Sequence, residues 1–317
     1  MPKTSFKTAL EFSAFRVLRF LFFLLPRGAC LASGRVFGSL IFLLDRRHRR
    51  IALSNLLMAF GSEKSESELK KTARLSFRNF GEVTADILKL PFLGEEKIRS
   101  LITWEGLENL HESLDQGKGV LIFSAHFGNW EIGSSLVSPL KEFNVVARPL
   151  DNPLLERELI RLRRCLGARV IYKKQAAKQI LQALRRNEIV AILIDQNVLR
   201  SEAVFVDFFG RAAATTPGLA AIALRTGSPV LPVFCYPRPG HTYHIKFFKP
   251  LQVSPSGDPS RDVLKITGIC TKIIEEQIRQ GPAYWFWFHK RWNTRPPGEA
   301  GDGLFAEDER RGVNEIQ

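Results

Sequence analysis

Between residues 119 and 250 the chain alternates short, continuously apolar runs with longer segments of helical periodicity, and this alternation most constrains its fold. Gly119–Ser124, Asn144–Arg148, Arg169–Tyr172, Ile189–Asp195 and Val230–Tyr236 read as strands. Several are apolar without interruption, as expected of strands buried on both faces of a parallel sheet. Helical patterns lie between them at Trp130–Leu140, Pro153–Leu166, Gln175–Arg186 and Pro217–Thr226, with another at about Arg261–Gln280. Asn152 before Pro153 is a helix start, a capping side chain followed by a residue whose φ suits the first turn. Tyr243–Phe248 adds an edge strand after a Pro-Gly turn. The expected fold class is α/β: a mostly parallel sheet sandwiched by helices, with an N-terminal hydrophobic helical membrane anchor.

Three regions follow from the composition along the chain: an apolar and basic arm at 1–50, an α/β domain at 51–297, and a polar, Gly-rich tail at 298–317 expected to be disordered. Within the arm, residues 10–44 are rich in Leu, Phe and Ile, but Arg16, Arg19, Arg27 and Arg35 interrupt them. An uninterrupted span of about 20 apolar residues is absent. An amphipathic anchor puts its apolar face among acyl chains and its arginines at the headgroups. Arg46-Arg47-His48-Arg49-Arg50 would add attraction to an anionic leaflet. The alternatives are a helical hairpin packed on the domain with a solvated basic turn, and one spanning helix. No signal-peptide cleavage site is evident.

With 46 Lys+Arg against 32 Asp+Glu, the net charge of +14 calls for an anionic partner. The 24 Phe against 4 Tyr favour lipid over nucleic acid, whose binding surfaces interleave aromatic and basic residues on a strand. Cys30, Cys165, Cys235 and Cys270 are scattered, without metal or disulfide spacing, and the six His show no metalloprotease motif. No metal and no cofactor are expected. Gly117-Lys118-Gly119 precedes a strand instead of following one, so it is a turn and not a nucleotide loop.

The chemistry concentrates in His126-Phe127-Gly128-Asn129-Trp130-Glu131, at the end of the first core strand. Positions five apart on one helix point to different faces, so His126 belongs in the loop and Glu131 in the first turn of the next helix. Gly128 permits the chain reversal and Asn129 is a natural N-cap. A carboxylate that orients imidazole makes a general base able to activate a hydroxyl. The plainer reading is a core histidine and a capping carboxylate.

The hexapeptide, together with Trp104-Glu105-Gly106-Leu107-Glu108-Asn109 and Gly117-Lys118-Gly119, resembles the late acyltransferases of lipid A biosynthesis, the lauroyl/myristoyl branch of the lysophospholipid acyltransferase superfamily. The likeness continues through Asn152-Pro153-Leu154-Leu155-Glu156, Asp195-Gln196, Phe208-Phe209-Gly210, Thr215-Thr216, and Trp285 through Trp292 to Pro296. It implies an α/β acyltransferase at the cytoplasmic face of the bacterial inner membrane. Its donor would be acyl carrier protein and its acceptor an anionic glycolipid, the lipid A precursor. His126 and Glu131 would be catalytic, with an arginine completing the site. Arg163 matches that arginine best by spacing, Arg164 second; either could equally be part of a solvated basic face with Arg148 and Arg161. Asp195 matches the family's Asp-Gln motif and would support the site, for instance by pairing with Arg163, or it is a strand-ending turn residue. Thr215-Thr216-Pro217 would cap a helix or line an acyl slot. The Trp285, Trp287 and Trp292 cluster suggests packing. The rivals are an acyl-CoA-dependent enzyme acting on glycerophospholipid or another hydroxylated lipid, against which Glu131 speaks because such relatives usually carry aspartate there, and a non-catalytic lipid-binding protein.

Overall fold

The computed structural model describes residues 6–173, 176–253 and 255–299. The helices are α1 (Phe6–Leu24), α2 (Arg27–Leu44), α3 (Arg46–Phe60), α4 (Glu66–Lys89), α5 (Glu95–Ser100), α6 (Leu107–Leu114), α7 (Gly133–Val137), α8 (Pro153–Cys165), α9 (Ala176–Arg185), α10 (Gly218–Thr226) and α11 (Pro259–Gln280). The strands are β1 (Ile102–Glu105), β2 (Val120–Ser124), β3 (Phe143–Ala147), β4 (Ala168–Tyr172), β5 (Ile189–Leu193), β6 (Val204–Phe208), β7 (Arg211–Thr215), β8 (Val230–Arg238) and β9 (Thr242–Phe247).

Seven strands form one sheet in the order β1-β9-β8-β2-β5-β3-β4. All neighbours are parallel except β8 and β9. The apolar runs supply both faces of this sheet. Leu121 and Phe123 of β2 pack with residues of α4, α9, α10 and α11, while Val120 and Ile122 face the layer of α5 to α8. The β9 strand is interior, because β1, too short to be read from sequence, occupies the edge beside it. A separate hairpin, β6–β7, was likewise not anticipated.

Helix ends follow their caps where the capping chemistry is strong. Asn152 accepts from the amides of Leu154 and Leu155, and Asp258 from those of Ser260 and Arg261. The expected helix at Trp130–Leu140 is instead a single short turn of helix, Gly133–Val137. Its cap position is Ile132, which makes no side-chain bond, and Asn129 lies upstream in irregular chain with its side chain buried. Thr216 Oγ1 accepts from the amide of Gly218 at the start of α10, as a cap would. Thr215 ends β7 and accepts from the buried Arg291.

Pro26 divides the N-terminal arm into two helices, and α2 is long and apolar enough to cross a membrane by length and composition. Its inner face is nevertheless docked on α4. Gly34 and Gly38 let the backbones touch: a Cβ on Gly34 would lie 2.4 Å from the carbonyl oxygen of Gly81, and one on Gly38 2.2 Å from that of Phe77. Arg27 at the start of α2 reaches the buried Asp86 of α4 with two hydrogen bonds, of 2.7 and 2.8 Å. The arm is therefore two helices joined at Pro26 and docked on the domain separately, α2 along α4 and α1 against α4 and α8. Its outer surface exposes Phe6, Leu10, Val17 and Phe20 from α1, and Val36, Phe37, Leu40 and Leu43 from α2. So many large apolar side chains left exposed on two neighbouring segments mark a membrane or partner contact. Of the tail expected at 298–317, residues 300–317 lie outside the described residues.

Candidate active site

Strand register assembles the site. Ser124 at the end of β2 is the register partner of Leu193 at the end of β5. Two residues beyond each, His126 and Asp195 therefore emerge side by side at the carboxyl edge of the sheet, where ligand sites of open α/β sheets lie. Asp195 Oδ1 is 2.9 Å from His126 Nδ1, and Oδ2 accepts from the backbone amide of His126 at 2.9 Å and from the indole of Trp285 at 2.8 Å. The carboxylate is nearly inaccessible, whereas 22% of the His126 side chain is exposed. Burial drives the Asp195 pKa upward, but the His126 charge, its two hydrogen bonds and the Trp285 indole outweigh that and hold it at about 2. His126 is thus tied at Nδ1, and its opposite nitrogen Nε2 points away from Asp195.

The chain reverses at Gly128, whose φ of +58° suits glycine. A Cβ there would lie 2.0 Å from the carbonyl oxygen of Cys235, so β8 excludes any side chain. The loop is pinned from the other side: Gly128 donates to the carbonyl of Tyr284, and Phe286 donates to that of His126. The tryptophan segment consequently does more than pack, since it holds the His126 backbone and supplies a donor to Asp195.

Glu131 does not meet His126. Beyond the Gly128 reversal it turns toward α8, where Arg163 donates to it from Nη2 at 2.7 Å and from Nε at 3.1 and 3.2 Å. Both side chains are largely buried. Burial lowers the Arg163 pKa, but the bonds and charge of Glu131 overcome it and leave the guanidinium more strongly protonated than usual. The expected pairings are therefore exchanged: Asp195 partners His126 and Glu131 partners Arg163. The helical period of α8 chooses among its arginines. Arg163 turns inward, whereas Arg164 is exposed and Arg161 pairs with Glu158. Arg148 pairs with Asp151 at the surface.

Glu131 and Arg163 sit in the wall of a cavity that is otherwise mostly apolar, lined among others by Val137, Phe143, Val145, Leu193 and Ile245. Trp130 lines this cavity as well as the smaller cleft in front of His126, and packs edge-on against the imidazole at 5.1 Å. An apolar slot, an ion pair in its wall and a tethered histidine thus lie within one stretch of surface.

Sequence reasoning missed a buried polar knot behind the loop. Asp86, on α4, accepts from Arg27 and at 2.5 Å from the Tyr243 hydroxyl, with Asn129 Nδ2 at 3.5 Å. Burial and the neighbouring Asp86 carboxylate raise the Tyr243 pKa far above its ordinary value. Asn129 is thus a buried member of this knot. The only sequence signal was an aspartate on the apolar side of a helix. His289 was also missed: its Nε2 accepts from the amide of Asn197, two residues past Asp195, and burial pushes its pKa down to about 4. Among the described residues no cluster of His, Cys, Asp and Glu is arranged to hold a metal ion.

Residues 3–294 match the model of the family described as bacterial lipid A biosynthesis acyltransferase. The chain is 27% identical to the lipid A biosynthesis palmitoleoyltransferase of Escherichia coli K12 over 256 residues, covering 80% of this chain and 82% of the relative. It is 26% identical to the lauroyltransferase of the same organism over 262 residues, 82% and 84% of the two chains. A phosphatidylinositol mannoside acyltransferase of Mycolicibacterium smegmatis is 26% identical over 224 residues, 69% and 71% of the two chains.

Proposed function

Starting from the family to which the chain belongs, the bacterial lipid A biosynthesis acyltransferases, we propose that this O-acyltransferase moves a fatty acyl group from acyl carrier protein to a hydroxyl of a lipid A precursor, at the cytoplasmic face of the inner membrane. The observation that carries the mechanism is the His126–Asp195 contact, with Nδ1 occupied and the ring edge open to the cleft. Buried Asp195 keeps His126 in the tautomer with the proton on Nδ1 and stabilises imidazolium as it forms. His126 Nε2 removes the proton from the acceptor hydroxyl as its oxygen bonds to the thioester carbonyl carbon. The carbon–sulfur bond then breaks, and the imidazolium returns the proton to the departing thiolate. No acyl-enzyme forms.

Arg163 supplies a fixed positive charge for the carbonyl oxygen in the tetrahedral intermediate, and Glu131 holds that guanidinium in place. Glu131 thereby keeps a functional role different from the one its spacing suggested. The apolar cavity beside this pair takes the acyl chain. The cationic surface suits an acidic carrier protein and an anionic acceptor.

The decisive assay supplies acyl-carrier protein and a lipid A precursor to the purified chain and follows the acceptor by mass spectrometry. One added acyl group, lost in His126→Ala, is expected. A preference for acyl-CoA over the carrier would overturn the donor assignment. Acylation of a phosphatidylinositol mannoside in place of the lipid A precursor would overturn the acceptor.

A further inference from the structure

The first helix crosses the start of α8, tied there by Asn152, which donates to the carbonyl of Thr8 and to Glu11. Between the two helices runs an open cleft lined by Phe12, Arg16, Arg19, Phe20 and Phe23 of α1, by Glu158 and Arg161 of α8, and by Phe92. Three guanidinium groups line this cleft with one carboxylate. Glu158 is nearly buried and accepts from both Arg19 and Arg161, which fixes those two cations. The Arg19 guanidinium also lies over the ring of Phe92 at 5.4 Å. Lys89 locks the end of α1 beneath, donating to the carbonyls of Phe22 and Phe23.

The cleft joins two chemistries that bulk water would not hold together. Three arginines less one carboxylate leave an excess of two positive charges, and arginine forks match phosphate oxygens. The apolar part of the wall comes from Phe92 and from Phe12, Phe20 and Phe23, which stand beside Arg16 and Arg19 on α1, a helix that also exposes Phe6, Leu10 and Val17. A small soluble anion would use the arginines but not the wall; a neutral lipid would use the wall but not the arginines. We propose that this cleft binds one anionic glycerophospholipid of the host leaflet, its phosphodiester between Arg16, Arg19 and Arg161 and its acyl chains along the phenylalanines. Bound there, the lipid bridges α1 and α8 and sets the depth at which the anchor sits. The site is distinct from the catalytic cavity, because Arg161 faces α1 while Arg163 on the same helix turns to Glu131.

The test measures binding of dioctanoyl phosphatidylglycerol to the full chain in neutral detergent, by native mass spectrometry and calorimetry, on a His126→Ala background so that the result is independent of acyl transfer. One lipid per chain is expected, with dioctanoyl phosphatidylcholine at least tenfold weaker. Arg16→Gln with Arg161→Gln should raise the Kd at least tenfold, and Arg16→Gln alone, which leaves the Glu158 contacts intact, severalfold. Replacing exposed Arg46, Arg47 and Arg50 should leave the Kd unchanged. Equal binding of the two lipids, an unaltered Kd in both Arg16 variants, or an equal loss in the Arg46, Arg47 and Arg50 variant would each overturn the assignment.

Discussion

His126 and Asp195 are 69 residues apart in sequence, yet each stands two residues past a register partner in the adjacent parallel strands β2 and β5. Their contact is therefore a property of the sheet. Any change that leaves the register intact leaves the pair intact, so conservative substitutions at either residue test chemistry more than folding.

Asp195→Asn should reduce kcat by at least about two orders of magnitude, the scale of general-base loss, with little change in the acceptor KM. Without the carboxylate the tautomer and orientation of the imidazole are no longer fixed, so the loss falls on kcat. Glu131→Gln should lower the rate less, because its partner is Arg163 and the guanidinium stays in the site. A larger loss from Glu131→Gln than from Asp195→Asn would reverse the assignment of the two carboxylates.

Gly128→Ala forces a side chain into the carbonyl of Cys235 at a backbone conformation that costs a non-glycine residue about 1 kcal/mol or more. The loop must shift, carrying His126 from its tether. Loss of activity is expected together with a lowered denaturation midpoint. A variant with wild-type turnover and stability would mean that the loop can relocate freely.

Asp86→Asn leaves Arg27 without its carboxylate in a buried site. Removing one partner of a buried ion pair costs about 3–5 kcal/mol, so this change should cut stability sharply in chemical denaturation. Tyr243→Phe removes only the hydroxyl donor and should cost about 1–2 kcal/mol. Equal, small effects would show that water replaces the lost partners.

His289 sets a pH dependence of stability. Its folded pKa is depressed from 6.5 to about 4 by burial, so the unfolded chain takes up the proton first. The stabilisation is full above about 6.5 and is lost as pH falls toward 4. At about 1.4 kcal/mol per tenfold change in proton affinity, the drop amounts to about 3 kcal/mol at most. His289→Gln should flatten the slope between pH 6.5 and 4, measured by denaturant unfolding. Asp195 adds a separate loss only below about pH 4, as protonation proceeds toward its folded value near 2.

Five of the seven strands of the sheet, the cap at Asn152 and the reversal at Gly128 are all local properties. Apolar continuity, side-chain hydrogen bonding to the nearest free amides and helical period act over a few residues, and a sequence displays them directly. His126 and Glu131 were visible for the same reason, as chemistry-bearing residues in a loop after a strand. Which carboxylate orients the histidine was not local. Spacing within the hexapeptide offered Glu131, but the reversal at Gly128 sends that side chain toward α8, while parallel register delivers Asp195 from another strand. The Asp86 knot and the Trp285 donor share this origin. Each joins segments far apart in the chain, and only the packing of α2, α4, β9 and the loop after α11 brings their buried polar groups within hydrogen-bond reach.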